Sequence, residues 1–221
     1  MEQVFPGVWK QGKHIFTKNL LPGDKTYCKT FVNVKGEEFR EWNPFRSKPA
    51  AAIANGLKIF PLAAKAKVLY LGIASGQTST FFSDIVGPEG IIYGVEISER
   101  CVRDLNPVAE KRGNIVPIVG DARKPEEYGW VEKVDVVYED VASDDQSPIM
   151  IRNCERFLKP NGFAMIAIKA RSIDVIKDPK EIYKQEIEKL EKHFKILEKV
   201  RLDPFEKDHM FLVMKKVIDF A

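Results

Sequence analysis

The chain has 221 residues, 44% of them apolar and 30% charged, an ordinary globular composition with enough apolar mass for one α/β domain or a domain with a small appendage. No apolar run approaches the roughly 20 residues of a membrane span, and the amino end lacks the apolar stretch of a secretory signal. Cys28, Cys101 and Cys154 are odd in number and lack C-x-x-C spacing, which argues against a disulfide frame or zinc site and for a reduced intracellular compartment, while a net charge of +3 permits an acidic partner such as RNA without requiring one.

Residues 1–42 carry short apolar or alternating segments broken by turn residues. Val8-Trp-Lys, His14-Ile-Phe-Thr and a run from Thr26 to Val34 are the expected strands. Leu21-Pro-Gly-Asp24 and Lys35-Gly-Glu-Glu38 are the turns between and after them. Together they predict a small antiparallel β appendage over residues 1–45.

The texture changes at Glu41-Trp-Asn-Pro-Phe-Arg-Ser-Lys-Pro49. Ser47 is a candidate N-cap, Pro49 suits a first turn, and Ala50 to Ala54 is strongly helical up to Asn55-Gly56. From Val68 onward, strands and helices alternate across a second domain, residues 46–221. Val68-Leu-Tyr-Leu71 is a strand running through Gly72-Ile-Ala-Ser-Gly76 into a helix from Thr78 to Val86. Ile91 to Val95 is a strand ending on Glu96, and Ser98 caps a helix that Pro107 should kink or split. Ile115 to Val119 ends on Gly120-Asp121, with Pro117 favouring a sheet edge. Val134 to Tyr138 precedes Glu139-Asp140, and a helix from Gln146 to Phe157 leads into the turn Lys159-Pro-Asn-Gly162. Phe163 to Ile168 ends on Lys169. Such alternation predicts a parallel sheet with helices on both faces. An amphipathic helix from Lys180 to about Phe194 follows, then Lys195–Leu202 and Met210–Met214, too close for a helical crossover and so an antiparallel hairpin.

Small residues at Gly72–Gly76 let a ligand approach the backbone, although this is not the dinucleotide pattern G-x-G-x-x-G, because Gly72 and Gly76 stand four apart with no third glycine in place. Polar groups gather at the carboxyl ends of successive strands, where open α/β sheets bind ligands: Ser75, Glu96, Asp121, Asp140 and Lys169. A charged strand end is usually just solvated; five in succession suggest a site. Glu96 lies at the spacing of an acid that takes a ribose hydroxyl, which suits a nicotinamide or an S-adenosylmethionine site, and Asp121 favours the latter.

These residues resemble the archaeal fibrillarins, box C/D guide-RNA-directed 2′-O-methyltransferases. The resemblance rests on Trp42-Asn-Pro-Phe-Arg-Ser-Lys-Pro49, Tyr70-Leu-Gly-Ile-Ala-Ser-Gly76, Ser83-Asp-Ile-Val-Gly-Pro-Glu-Gly90 and Tyr93-Gly-Val-Glu96. It continues through Asp121-Ala-Arg123, Asp140-Val-Ala142, Asp145-Gln146, Ile168-Lys-Ala170 and Asp208-His209, nearly the whole chain. Gln77 stands where that family more often has Thr, and Ser143-Asp144 where it has Gln-Pro.

The resemblance implies a class I methyltransferase sheet, Rossmann-like and closed by an antiparallel hairpin. It implies S-adenosyl-L-methionine held by Ala74, Ser75, Gly76, Thr78, Thr80, Glu96, Asp121, Ala122, Asp140 and Gln146. It also implies a tetrad of Lys48, Asp140, Lys169 and His209, with Asp208 the rival of His209 for its place. A ribose hydroxyl is a poor nucleophile until oriented and relieved of its proton, and a lysine beside other cations or partly desolvated can serve as the base. Lys169 is expected in that role, Asp140 orienting it and Lys48 helping to hold the ribose-phosphate. The three histidines, His14, His193 and His209, show no metal-ligand spacing, and no metal is expected. Implied partners are a guide RNA, its target RNA, a Nop-family scaffold protein and a kink-turn-binding ribosomal-type protein, with no membrane; the implied location is cytoplasmic. A fold-retaining scaffold subunit and a nicotinamide-dependent dehydrogenase remain the alternatives.

Overall fold

The computed structural model describes residues 1–216. Its first sheet contains β1 (Glu2–Phe5), β2 (Val8–Gln11), β3 (His14–Lys18), β4 (Phe31–Val34) and β5 (Glu37–Glu41), antiparallel and ordered β1-β2-β3-β5-β4. β1 and β5 are strands beyond the three expected, and two expected segments differ. Only Phe31–Val34 of the expected Thr26–Val34 run is strand, because Tyr27 turns the chain at φ 57°. The second turn is only Lys35-Gly36, both at positive φ, so Glu37 and Glu38 already belong to β5.

A 3-10 turn, Pro44–Arg46, leads into α1 (Lys48–Ala54). Ser47 stands at its N-cap position but makes no capping bond; its hydroxyl accepts instead from Thr78 Oγ1 at 3.0 Å. The second sheet then builds from β6 (Lys67–Leu71), β7 (Ile91–Glu96), β8 (Ile115–Val119), β9 (Val134–Glu139), β10 (Leu158–Lys169), β11 (Phe194–Arg201) and β12 (His209–Lys216). The order is β11-β12-β10-β9-β6-β7-β8; β6 to β10 run parallel, and β12 lies antiparallel between β10 and β11. Pro117 thus sits on the edge strand β8.

The helices are α2 (Gln77–Val86), α3 (Glu99–Arg112), α4 (Gln146–Phe157), the short α5 (Ala170–Ile173) and α6 (Pro179–Leu190). α3 runs unbroken through Pro107, which is exposed, so the carbonyl it leaves without a donor faces water. Lys159-Pro-Asn-Gly162 lies inside β10 as a bulge: Leu158 pairs with Val134 and Phe163 with Val136. α6 stops at Leu190, and Phe194 opens β11 as a buried residue instead of ending the helix.

Alternate residues of the parallel strands feed two cores. Val68, Tyr70, Ile92 and Val136 pack with α1, α2 and α3; Leu69, Leu71, Val95 and Val137 pack with α4 and α6. Val8, Ile15 and Trp42 share the first of these cores, so the amino-terminal sheet has no core separate from the rest. Trp42 stacks on Phe81 of α2, ring centroids 5.4 Å apart and 12° from parallel. Among the described residues no helix is long and apolar enough to cross a membrane.

One buried carboxylate fixes the join. Asp84 on α2 accepts from Thr17 Oγ1 (2.7 Å), Leu20 N (3.1 Å), Arg40 Nε (2.9 Å) and Arg112 Nη1 (2.8 Å). The side chains of Asp84, Arg40 and Arg112 are wholly buried. Asp84→Ala would leave two guanidinium groups without their shared anion and should cost about 3–5 kcal/mol. Urea unfolding reads this as a lower midpoint; an unchanged midpoint would remove Asp84 from this role.

Candidate active site

The order of the parallel strands reverses between β6 and β9, and ligands of open α/β sheets bind at such a point, beyond the strands' carboxyl ends. After β6 the chain passes Gly72 at φ 77°, Ala74 at 51° and Gly76 at 97°. Gly72 is required for space as well as conformation: a Cβ there would lie 3.0 Å from the carbonyl oxygen of Asp140. The loop is pinned beneath by Gly72 N and Ile73 N, which donate to Val95 O at 2.9 and 3.2 Å. Gly94 makes room for Ile73, whose Cδ1 would be 2.3 Å from an added Cβ.

From above, the loop is held by Glu96. Its Oε2 accepts from Ala74 N and its Oε1 from Ser98 N, both at 2.9 Å. Each oxygen keeps acceptor capacity beyond these bonds. A cleft of about 460 Å³ opens here, its wall including Ala74, Glu96, Asp121, Ala122, Asp140 and Lys169. At the rim Arg123 Nε donates to both oxygens of Asp121 at 3.0 Å, and this pairing holds the Asp121 carboxyl below the usual range.

Asp140 gathers the cations. Its Oδ1 lies 2.8 Å from Lys169 Nζ and 3.2 Å from Lys48 Nζ. Neither ammonium is aligned as a hydrogen-bond donor to that oxygen, so the attraction is Coulombic; Lys169 Nζ donates to the Asp140 carbonyl at 2.6 Å. All three side chains are largely buried, from 12% to 17% exposed. Gln146, fully buried, accepts from Lys169 N at 2.9 Å and donates to Ser143 O at 2.7 Å. His209 lies directly opposite Lys169 in the β10–β12 register, and its Nδ1 is 2.7 Å from Lys207 O. Asp208 points elsewhere, its Oδ2 accepting from Arg171 Nε at 3.0 Å.

The family model for fibrillarin matches residues 1–217. The chain belongs to the fibrillarin family. A curated relative from Thermococcus sibiricus, named a fibrillarin-like rRNA/tRNA 2'-O-methyltransferase, is 51% identical over 96% of each chain. The solved fibrillarin from Methanococcus jannaschii, described as a pre-rRNA processing protein, superposes with a TM-score of 0.93 at 46% identity, covering 97% of this chain and 96% of that one. Aeropyrum pernix fibrillarin, solved with natively bound S-adenosyl-L-methionine, gives a TM-score of 0.85 at 49% identity, covering 91% and 88%. A fibrillarin from a fibrillarin/Nop5p complex gives 0.89 at 38%, covering 98% and 100%.

Within this fibrillarin fold the expected residues divide by place. Ala74, Glu96, Asp121, Ala122 and Asp140 line the cleft. Ser75 and Gly76 belong to its loop without lining it; Ser75 O accepts from Tyr27 OH, and Gly76 packs against Leu105. Thr78 and Thr80 are buried away from it: Thr78 bonds Ser47, while Thr80 Oγ1 donates to Gln77 O and accepts from Arg40 Nη2 at 3.1 Å. Thr80 joins α2 to the amino-terminal sheet and Thr78 joins it to the start of α1, which their position after the loop could not reveal. Gln146 holds the backbone of Lys169 and does not line the cleft. Among the described residues no three His, Cys, Asp or Glu side chains are grouped to hold a metal ion.

Glu139 is the residue that sequence reasoning passed over. It is fully buried, both carboxyl oxygens lack a hydrogen-bond partner, and burial with the nearby Asp145 charge pushes its pKa well above the usual glutamate value. Adjacent acids on one strand end therefore differ: burial favours the protonated form of Glu139, and Asp140 meets two lysines. Because the folded chain holds a proton that the unfolded chain releases, wild-type stability should fall as pH rises from the ordinary glutamate range toward the raised value. Glu139→Gln, which cannot ionise, should gain on wild type over that interval. Urea midpoints at about pH 5 and about pH 8 check this, a gap that fails to widen counting against it.

Proposed function

We propose that this chain methylates ribose 2′-hydroxyls of rRNA or tRNA with S-adenosyl-L-methionine, as the catalytic subunit of a box C/D guide ribonucleoprotein. The observation that carries this is the placement of Asp140 at the cleft, with Lys48 and Lys169 on one oxygen and His209 in register with Lys169. A relative named for the activity, at 51% identity, and a solved fibrillarin described with bound S-adenosyl-L-methionine support it.

The cleft suits that cofactor. The Gly72–Gly76 loop can lie close against its chain, and Glu96 has lone pairs left for a ribose diol. Asp121 and Ala122, in the wall of the same cleft, would hold the adenine. When bound, S-adenosylmethionine supplies an activated methyl group, leaving alignment as the protein's main task. In its neutral amine form Lys169 takes the proton of the 2′-hydroxyl onto Nζ, Asp140 orients that nitrogen, and Lys48 holds the ribose-phosphate. His209 closes the site from β12.

Target choice falls to the guide RNA. The described fibrillarin/Nop5p complex supports a Nop-family scaffold, and a kink-turn-binding ribosomal-type protein would complete the particle. A cytoplasmic setting accords with the three free thiols.

The test is Lys169→Ala in the reconstituted guide complex. Loss of the base should lower methyl transfer on the order of 10²–10⁴-fold, with S-adenosylmethionine affinity nearly intact by calorimetry. Full activity in the variant would sink the assignment, and an inactive wild-type complex would favour a scaffold subunit.

A further inference from the structure

A second hollow, about 380 Å³, opens beside the cleft between the loop before β4 and the 3-10 turn. Its wall carries Lys25, Lys29 and Arg46, with Tyr27, Thr30 and Asn43. The one acid in that wall, Glu41, is already engaged, its Oε1 lying 2.5 Å from His14 Nδ1. Lys25 and Lys29 form no side-chain ion pair among the described residues. Arg46 meets only a neutral group, its Nε and Nη2 donating to Gln77 Oε1 at 3.2 and 3.0 Å. Three cations against the single Glu41 carboxylate leave this concavity with an excess of positive charge, and their summed field draws an anion in.

Two contacts tie the hollow to the cleft. Tyr27 OH donates to Ser75 O at 2.7 Å, inside the Gly72–Gly76 loop. Gln77 Nε2, on the first residue of α2, returns a bond to Arg46 O at 3.1 Å, two residues before Lys48. Gln77, which departs from the commoner Thr, thus fixes the cationic wall to the loop. Tyr27 holds φ 57°, a conformation costly for a tyrosine, and lies 37% exposed in the wall of the hollow.

We propose that this hollow binds the ribose-phosphate backbone of the target RNA strand next to the methylated nucleotide. Lys25, Lys29 and Arg46 take phosphate oxygens, and the Tyr27 ring offers a face to a base. The inference rests on the reading of the chain as an RNA methyltransferase. Phosphate contacts carry no sequence information, so the hollow would grip any target that the guide presents. An acidic protein segment would suit the charge but would leave the exposed tyrosine without a purpose.

The experiment uses the full guide complex, with methyl transfer measured at several salt concentrations. Neither lysine lines the cleft, so Lys25→Ala with Lys29→Ala should leave kcat and S-adenosylmethionine affinity unchanged. The KM for target RNA should rise on the order of tenfold, and the log–log salt slope should shrink by about 1.4, two single-strand phosphates' worth. An active wild type with variant KM and slope unchanged overturns this inference alone. An inactive wild type overturns the functional reading and this inference with it. A variant whose weakened step is binding to the scaffold protein without RNA makes the hollow a protein contact and overturns it as well.

Discussion

Four donors on one buried carboxylate hold this molecule's two sheets together. Thr17 and Leu20 come from the first sheet's β3 and the loop after it, Arg40 from β5, Arg112 from α3, and all converge on Asp84 of α2. Two residues beyond Arg40 the chain inserts Trp42 against Phe81, and six beyond that it delivers Lys48 to Asp140. The amino-terminal sheet is therefore more than an appendage. It positions one of the two lysines, while the parallel sheet positions the carboxylate and the other.

Around Asp140, burial and charge divide the labour between neighbouring groups. Glu139 is buried, which favours its protonated form; Asp140 turns to the cleft and meets cations. The Asp140 backbone also packs so tightly on Gly72 that the Gly72–Gly76 loop and the Asp140 carboxylate share one wall. Gln146 and Glu96 serve the same end by different means, one gripping the backbone of Lys169 and the other that of Ala74. Both spend side-chain bonds on main-chain geometry, as a site needing alignment more than bond-making chemistry would require.

From Val68 onward the architecture was legible because parallel strands, buried on both faces, read as apolar runs. β5 was not legible. Its Arg40 is charged yet buried, since the compensating anion lies on α2, and no local pattern reports a partner so distant in sequence. β1 is short and opens on exposed polar residues, so it carries little apolar signal. The strand-end acids and the lysine cluster could be read from position and resemblance. The outward or inward turn of Thr78, Thr80 and Gln146 could not, because one residue of helical phase decides it. That His209 faces Lys169 while Asp208 meets Arg171 depends on strand register, which only three dimensions supply.

β12 has a consequence for how this protein can change. Both of its faces are buried, Phe211 and Val213 in one core, Leu212 and Met214 in the other, so its two sides are not interchangeable by shape. Sliding it by one residue would exchange the two sets and turn His209 from the face that Lys169 shares. Length changes between Leu202 and Asp208 would leave that strand phase intact, whereas a single insertion between His209 and Met214 would be felt at Lys169. The tolerance of this chain to insertion should thus change abruptly at His209, a boundary drawn by strand phase alone.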